Sequence, residues 1–264
     1  MNAYEQAVHG DAPVAWWKLD EPQGAQQALD SSGGGYHSTA VGVTLFGQDP
    51  GGMPAGLPGP AAGTGGNGIT VPFRGGNWPA FTAEIWVRPA DTQNNRFILG
   101  TGRTWASPYT GMCLVATTGG YVFRVGNGSS QGQFAVSAAL EPGQWQYLAI
   151  SLDGGIVQVY ADGAQSGSGS HAAGLLEAQA GDAGVLFLPG EPAWQGLAMQ
   201  AAFYDHALTP QRIAEHYQLG TTTAPGGAPW RAWTGTQWAE GELKAWTGSG
   251  WASVRVWDGN DWIP

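Results

Sequence analysis

The sequence predicts an all-β protein of antiparallel strands, followed by a short module of Trp-rich hairpins. Three observations predict it. The 264 residues include 44 Gly and 17 Pro, many of them in turn-forming pairs between apolar runs. Fourteen Trp, eight Tyr and eight Phe supply more buriable surface than a disordered Gly/Pro-rich chain carries. Several runs alternate apolar and polar side chains with the two-residue period of a strand.

Charge and cysteine content narrow the function classes. The net charge is −10 with ten Lys and Arg, and no basic cluster occurs, which argues against nucleic acid or an anionic membrane as partner. A lone cysteine, Cys113, excludes an intramolecular disulfide framework, and no Cys/His set has zinc-ligand spacing. No apolar stretch approaches the roughly 18 residues a membrane helix needs. The start, Met1 to Gln6, has no basic segment leading into an apolar run, so synthesis in a cytoplasm without a signal peptide is expected.

In chain order, a short helix is expected over Asn2 to Val8, capped by Asn2 and closed near Gly10. The Gly/Pro-dense stretch from Gly47 to Gly68 reads as a long loop. Strands are expected over Phe81 to Arg88, Tyr121 to Val125, Gln144 to Leu152 and Ile156 to Tyr160. Asp153-Gly154-Gly155 and Asp162-Gly163 provide the positive φ of tight hairpins, making a meander. A second helix follows, with Thr209 as N-cap, Pro210 at its first position and Gly220 just past its end; Ile213 and Tyr217 share a face.

The Trp residues divide the chain. Seven lie before residue 230 and seven at or after it, and the step coincides with the Pro/Gly stretch 221–229. A sandwich domain over 1–220, a linker over 221–229 and a tail module over 230–264 are expected. The tail repeats W-[TD]-G-x-x-W three times, from Trp233 to Trp238, Trp246 to Trp251 and Trp257 to Trp262, with Arg231, Lys244 and Arg255 two positions before each copy. Each copy reads as a hairpin whose Gly takes a positive-φ turn position and whose two Trp pack across the turn. These Trp serve either as a miniature core or as platforms for sugar rings; both readings stay open.

Four segments carry a family resemblance: Tyr4 to Glu21, the loop Asp30-Ser31-Ser32-Gly33-Gly34-Gly35, the hairpin from Trp145 to Gly163, and Phe203 to Pro210. In that order they resemble the laminin G-like branch of the concanavalin A-like jelly rolls, two-sheet sandwiches shared by lectins and glucanases. The tail is similar to the C-terminal ends of minor tail proteins from phages of actinobacteria, and the Ala/Gly-rich composition fits a high-GC genome. These resemblances imply a virion protein whose lectin-like domain contacts host cell-wall or surface polysaccharide, with other tail proteins as partners and a homo-oligomer as its assembled form. No coiled-coil heptad specifies a copy number. Alternatives are a purely structural tail assembly protein and a bacterial carbohydrate-binding module or glycan hydrolase accessory domain. The family's calcium site joins the Asp of the Ser/Gly loop to an acidic pair in the closing strand; here Met199 and Gln200 stand at that pair, and a thioether is a poor ligand for a hard cation. No cofactor is therefore expected, while Asp30 is either a residual calcium ligand or the cap of its own turn.

Glucanases of this fold use closely spaced carboxylates on one strand. Glu84 stands alone in its strand, Glu141 precedes a turn and Glu191 sits in a Pro/Gly loop, so no enzyme is expected. His37, His171, His206 and His216 are scattered, with surface or capping roles expected. Binding candidates are aromatics outside the alternating runs: Trp105 with Arg103 and Tyr109, Asn94 and Asn95 close by in sequence, and Trp78 and Trp194 beside prolines or in Pro-rich loops. Each such Trp either binds a ligand at the sandwich rim or folds back onto the core.

Overall fold

The computed structural model describes residues 1–222 except 39, 42–43, 49–51, 58, 65–67, 93–94, 173, 180–183, 186–191 and 193; beyond them it describes six short strands between Arg231 and Ile263. The chain divides into two units, Met1–Thr222 and Thr223–Pro264.

The first unit opens with helix α1 (Ala3–Gly10) and strands β1 (Ala15–Trp17), β2 (Ala40–Val41), β3 (Thr44–Gln48), β4 (Ala61–Thr64) and β5 (Ile69–Thr70). Then come β6 (Phe81–Pro89), β7 (Arg96–Gly100), β8 (Met112–Thr117), β9 (Gly120–Gly126) and β10 (Gln131–Val136). The unit closes with β11 (Gln146–Asp153), β12 (Ile156–Ala161), β13 (Ala164–Ser170), β14 (Gly184–Val185), β15 (Gly196–Tyr204) and helix α2 (Pro210–Thr221). Among the described residues, one antiparallel sheet runs β13-β12-β11-β6-β15-β4-β3, with β1 also on β15; the other runs β10-β9-β8-β7-β14-β5-β2. Their facing sides bury one core, including Phe81, Ile85, Leu99, Leu114, Phe123, Ile150 and Phe203. This is the two-sheet jelly-roll sandwich that the family resemblance implies.

Local chemistry explains the helix starts. The Asn2 side chain accepts from the Glu5 amide at 2.8 Å while the Glu5 carboxylate accepts from the Asn2 amide at 3.1 Å, a reciprocal capping box. Thr209 caps α2 by accepting from the Arg212 amide, and Pro210 needs no donor at the first helical position. Three expectations need correction. Gly47 to Gly68 is partly strand, since β3 ends and β4 lies within it. Trp145 precedes its strand and is half-buried against the outer cluster instead. Gly220 lies inside α2, where a Cβ would come 2.4 Å from the Trp86 ring; close helix-to-sheet approach, and not a C-cap, requires glycine there.

The helices cover the outer face of the first sheet. Inward residues of β6 are Phe81, Ala83, Ile85 and Val87, while Trp86 points outward, stacked on Tyr217 of α2 at 5.7 Å and edge-on to Tyr4 of α1. Glu84, on the same outward side, is fully buried, with its carboxylate accepting from Tyr147 Oη, from Tyr204 Oη at 2.8 Å and from His216 Nδ1 at 3.0 Å. On its other side the His216 ring lies 2.9 Å from Asp11, more a charge contact than an aligned hydrogen bond, and Asp11 also holds Arg212 at 2.6 Å. His216 is thus completely buried, contrary to the surface or capping role expected of it. Burial alone would push the Glu84 carboxyl up, but the His216 charge and its hydrogen bonds outweigh this and hold it below the ordinary 4.5. Burial alone would pull His216 down, yet Glu84 and Asp11 hold it above the ordinary 6.5.

In the second unit, β16 (Arg231–Trp233) pairs with β17 (Trp238–Glu240), β18 (Lys244–Trp246) with β19 (Trp251–Ser253), and β20 (Val256–Trp257) with β21 (Trp262–Ile263). The registers set Trp233 opposite Trp238, Trp246 opposite Trp251 and Trp257 opposite Trp262. The expected turn glycines, and residues 223–229 of the expected linker, lie outside the described residues.

Two outcomes follow. Gly220→Ala is expected to cost about 1–3 kcal/mol through overpacking against Trp86, more than its gain in helix propensity, read as a lowered urea midpoint. Glu84→Gln is expected to cost about 3–5 kcal/mol, since it strands a buried charge. The raised His216 and lowered Glu84 values make the ion pair complete between about pH 4.5 and 6.5, weakening as pH rises through the His216 value or falls through the Glu84 value. The wild-type minus Glu84→Gln difference should therefore peak in that window; a difference flat from pH 3 to 9 would show that the pair is not ionised.

Candidate functional site

With the outer face of the first sheet under α1 and α2, an open aromatic-lined surface belongs to the second. Cys113 stands opposite Arg124, Val115 opposite Val122, and Phe97 opposite Val115, so these side chains share the face turned from the main core. There Phe97, Cys113 and Val115 form a separate apolar cluster on which Trp105 packs, half-buried. Trp105 comes from the loop joining β7 to β8, which folds over its own sheet. The loop is pinned where Thr101 pairs with Met112 through both its amide (2.9 Å) and its hydroxyl (3.1 Å), where the Gly111 amide donates to the Leu176 carbonyl, and where Thr104 Oγ1 meets the buried Cys113 Sγ at 3.4 Å. These ties preorganise the ring without closing it off.

Beside Trp105 lies a concavity of about 140 Å³ lined by Asn95, Phe97, Trp105, Val115 and Arg124. It is small against the roughly 300–1,000 Å³ of enclosed ligand pockets, a size suited to one ring laid against an aromatic. Asn95 reaches it from the turn before β7 with φ of 51°, a conformation asparagine tolerates better than most residues. A second, wider cavity of about 380 Å³ lies at the ends of β6 and β15, lined by Gly63, Arg88, Pro89, Gly143, Gln195 and Gly196 among others, with no aromatic ring among the described lining residues. Neither cavity has a carboxylate among its described lining residues.

The structure thus brings Trp105 and Asn95 together. Arg103 is exposed on the same loop and does not line the concavity; Tyr109 sits half-buried at the loop's far end, where its carbonyl accepts from the Gly128 amide. Trp78 is half-buried, its ring 6.1 Å from Phe73 and its amide bonded to Leu175, so it leans on the core. Trp194 is corrected outright: it is fully buried in the main core and cannot serve as a rim platform. Asn94 and Glu191 lie outside the described residues, as do the side chains of Trp233, Trp238, Trp246, Trp251, Trp257 and Trp262. Sequence reasoning missed Arg124, Phe97 and Val115. Arg124 had a signal, being the one charged residue inside the alternating run Tyr121 to Val125.

At the loop 30–36, the Asp30 carboxylate accepts from the amides of Trp16 (3.0 Å), Ser32 (2.9 Å) and Tyr36 (2.9 Å). Burial would raise its pKa, but these hydrogen bonds hold it below the ordinary carboxylate value. Gln200 is the bulge residue of β15, with φ of 56°, and its side-chain oxygen accepts from the Trp16 indole at 3.0 Å; Met199 is buried under the helices. Among the described residues no group of three or more His, Cys, Asp or Glu is placed to hold a metal. The one carboxylate of β6, Glu84, is sealed beneath the helices and cannot reach a substrate.

Among the described residues of the first unit, fold and face define a two-sheet sandwich with one outer surface under helices and one without them. A family profile described as the concanavalin A-like lectin/glucanases superfamily, laminin G type, matches residues 63–214. The chain belongs to that superfamily. Solved structures share the fold: domain 4 of AbnA, a GH43 extracellular arabinanase from Geobacillus stearothermophilus in complex with arabinotriose, is 22% identical with a TM-score of 0.61, over 78% of this chain and 98% of that one. The botulinum neurotoxin serotype D binding domain is 13% identical with a TM-score of 0.59, over 79% of this chain and 52% of that one. The serotype D ligand binding domain in complex with N-acetylneuraminic acid is 10% identical with a TM-score of 0.53, over 82% of this chain and again 52% of that one. This chain thus spans about half of either toxin domain. No curated protein matches the sequence.

A folded-state calcium site would add about 2.7 kcal/mol of stability at a hundredfold excess over its Kd. We expect calcium and EDTA to leave the thermal midpoint unchanged, and Asp30→Ala to cost about 1–3 kcal/mol by freeing buried amides. A calcium-dependent rise abolished by Asp30→Ala would instead make Asp30 a ligand.

Proposed function

We propose that this chain is a non-catalytic minor tail protein of a phage of actinobacteria, and that its sandwich binds host cell-surface polysaccharide through the Trp105 concavity. One observation carries the glycan half: a half-exposed indole, held over Phe97 and Val115 by a pinned loop, stands beside Asn95 and Arg124 on the outer sheet face that no helix covers. Sugar rings present C–H faces that pack on indoles and hydroxyls that pair with amide and guanidinium groups. The arabinotriose and N-acetylneuraminic acid bound by the fold's neighbours support this reading. The virion half, with assembly in a host cytoplasm, other tail proteins as partners and a homo-oligomeric form, rests on the three W-[TD]-G-x-x-W copies and their resemblance to phage tail termini.

Trp105→Ala is expected to weaken binding to isolated actinobacterial cell-wall polysaccharide by tenfold or more, or about 1.4 kcal/mol, with the fold retained because the ring lies outside the main core. Binding is read by titration calorimetry on the whole chain. Undiminished binding would remove the site from this pocket. Unchanged adsorption of phage carrying Trp105→Ala, together with failed tail assembly on deleting residues 230–264, would favour the purely structural alternative.

A further inference from the structure

We propose that the Trp105 concavity is selective for an anionic sugar residue, one carrying a carboxylate or a phosphate ester, with Arg124 as the group that reads the charge. The inference rests on the glycan-binding reading above and deepens it.

Arg124 contrasts with three other basic residues of the domain. Acidic residues outnumber Lys and Arg by twenty to ten, and Lys18, Arg74 and Arg212 are each held by a carboxylate: Glu5 at 2.7 Å, Glu177 at 3.1 Å and Asp11 at 2.6 Å. Arg124 pairs with none among the described residues, and its cross-strand neighbours are the neutral Cys113 and Gln133. Its Nε is buried and makes no hydrogen bond. An unsatisfied buried donor costs about 1–3 kcal/mol, a cost that a ligand acceptor would remove. The same side chain lines the concavity, where no described carboxylate competes for it.

The surroundings fit an anionic ring better than a free ion or a neutral sugar. A guanidinium fork binds a carboxylate or phosphate through two parallel hydrogen bonds, each roughly twice as strong as a neutral one. Phe97 and Val115 form an apolar floor that lowers local water access and strengthens such a pair. Trp105 supplies the stacking face that a small inorganic anion would not use, and the Asn95 amide can pair with ring hydroxyls. Across a chain of net charge −10, long-range attraction for an anion is absent, so selectivity would come from this contact.

The test uses the full chain and four probes: a glucuronic-acid oligosaccharide, its carboxyl-reduced neutral counterpart, a hexose phosphate and inorganic phosphate. Wild type is expected to bind at least one anionic sugar tenfold or more tighter than the neutral counterpart, and inorganic phosphate much more weakly than either sugar anion. The uronate and sugar-phosphate arms tell the two anion sources apart. Arg124→Gln should abolish that preference, lowering affinity for the anionic sugar tenfold or more beyond any loss for its neutral counterpart, and Arg124→Lys should restore part of it. Equal wild-type affinity for anionic and neutral sugars, or equal losses of both in Arg124→Gln, would overturn the charge selectivity. Trp105→Ala separates the layers: if it abolishes all sugar binding while Arg124→Gln changes nothing, only the selectivity fails; if it leaves all binding intact, the pocket reading fails with it.

Discussion

Glu84 is a carboxylate with no access to water, and the placement of both helices follows from how it is satisfied. A buried carboxylate left unpaired would cost several kcal/mol. Here two sheet tyrosines and the His216 ring fill its acceptor positions, and His216 in turn reaches Asp11 just after α1. The chain ends of the domain are thereby joined: α1 from the start and α2 from the end meet over the same strand. A buried ion pair adds little net stability over a well-packed apolar filling, but it tolerates few alternative arrangements. The aromatic packing of Trp86, Tyr217 and Tyr4 provides the apolar area, and the ion pair fixes where the helices sit.

Covering one outer face decides which surface remains for a ligand. On the second sheet, the outward residues Phe97, Cys113 and Val115 form a small cluster over which the loop carrying Trp105 folds. The result is a rigid floor with an aromatic edge, a placement that costs little conformational entropy on binding. Elsewhere in the domain, the Asp30 carboxylate is taken up by backbone amides and the Gln200 side-chain oxygen by the Trp16 indole. Glu84 lies beneath the helices, out of reach of a substrate.

Much of the fold was legible because it rests on local rules. The alternating runs at 81–88 and 144–152, the Asp-Gly turns and the Thr209-Pro210 helix start each fix backbone conformation within a few residues. The candidate site was legible only in part. Trp105 and Asn95 stood out as loop residues of the right chemistry, while Arg124, placed across three strands by register, could not be joined to them from spacing alone. Trp194 shows the reverse error: a Trp two residues after Pro192 looks exposed, yet its ring is fully buried in the main core.

By itself, then, the sequence determined the element types, the two-residue periodicity of the strands, the acidic balance and the repeated Trp pattern, because each depends on neighbours in the chain. Tertiary structure alone decided which strand faces are covered. The outward side of Phe81 to Arg88 carries Thr82, Glu84 and Trp86 and reads as half-solvated, yet distant helices bury it. The outward side of β7, β8 and β9 carries Phe97, Cys113 and Val115 and reads as core, yet it forms the floor of an open concavity. Burial depends on what packs against a face from elsewhere in the chain, and alternation along a strand carries no record of that partner.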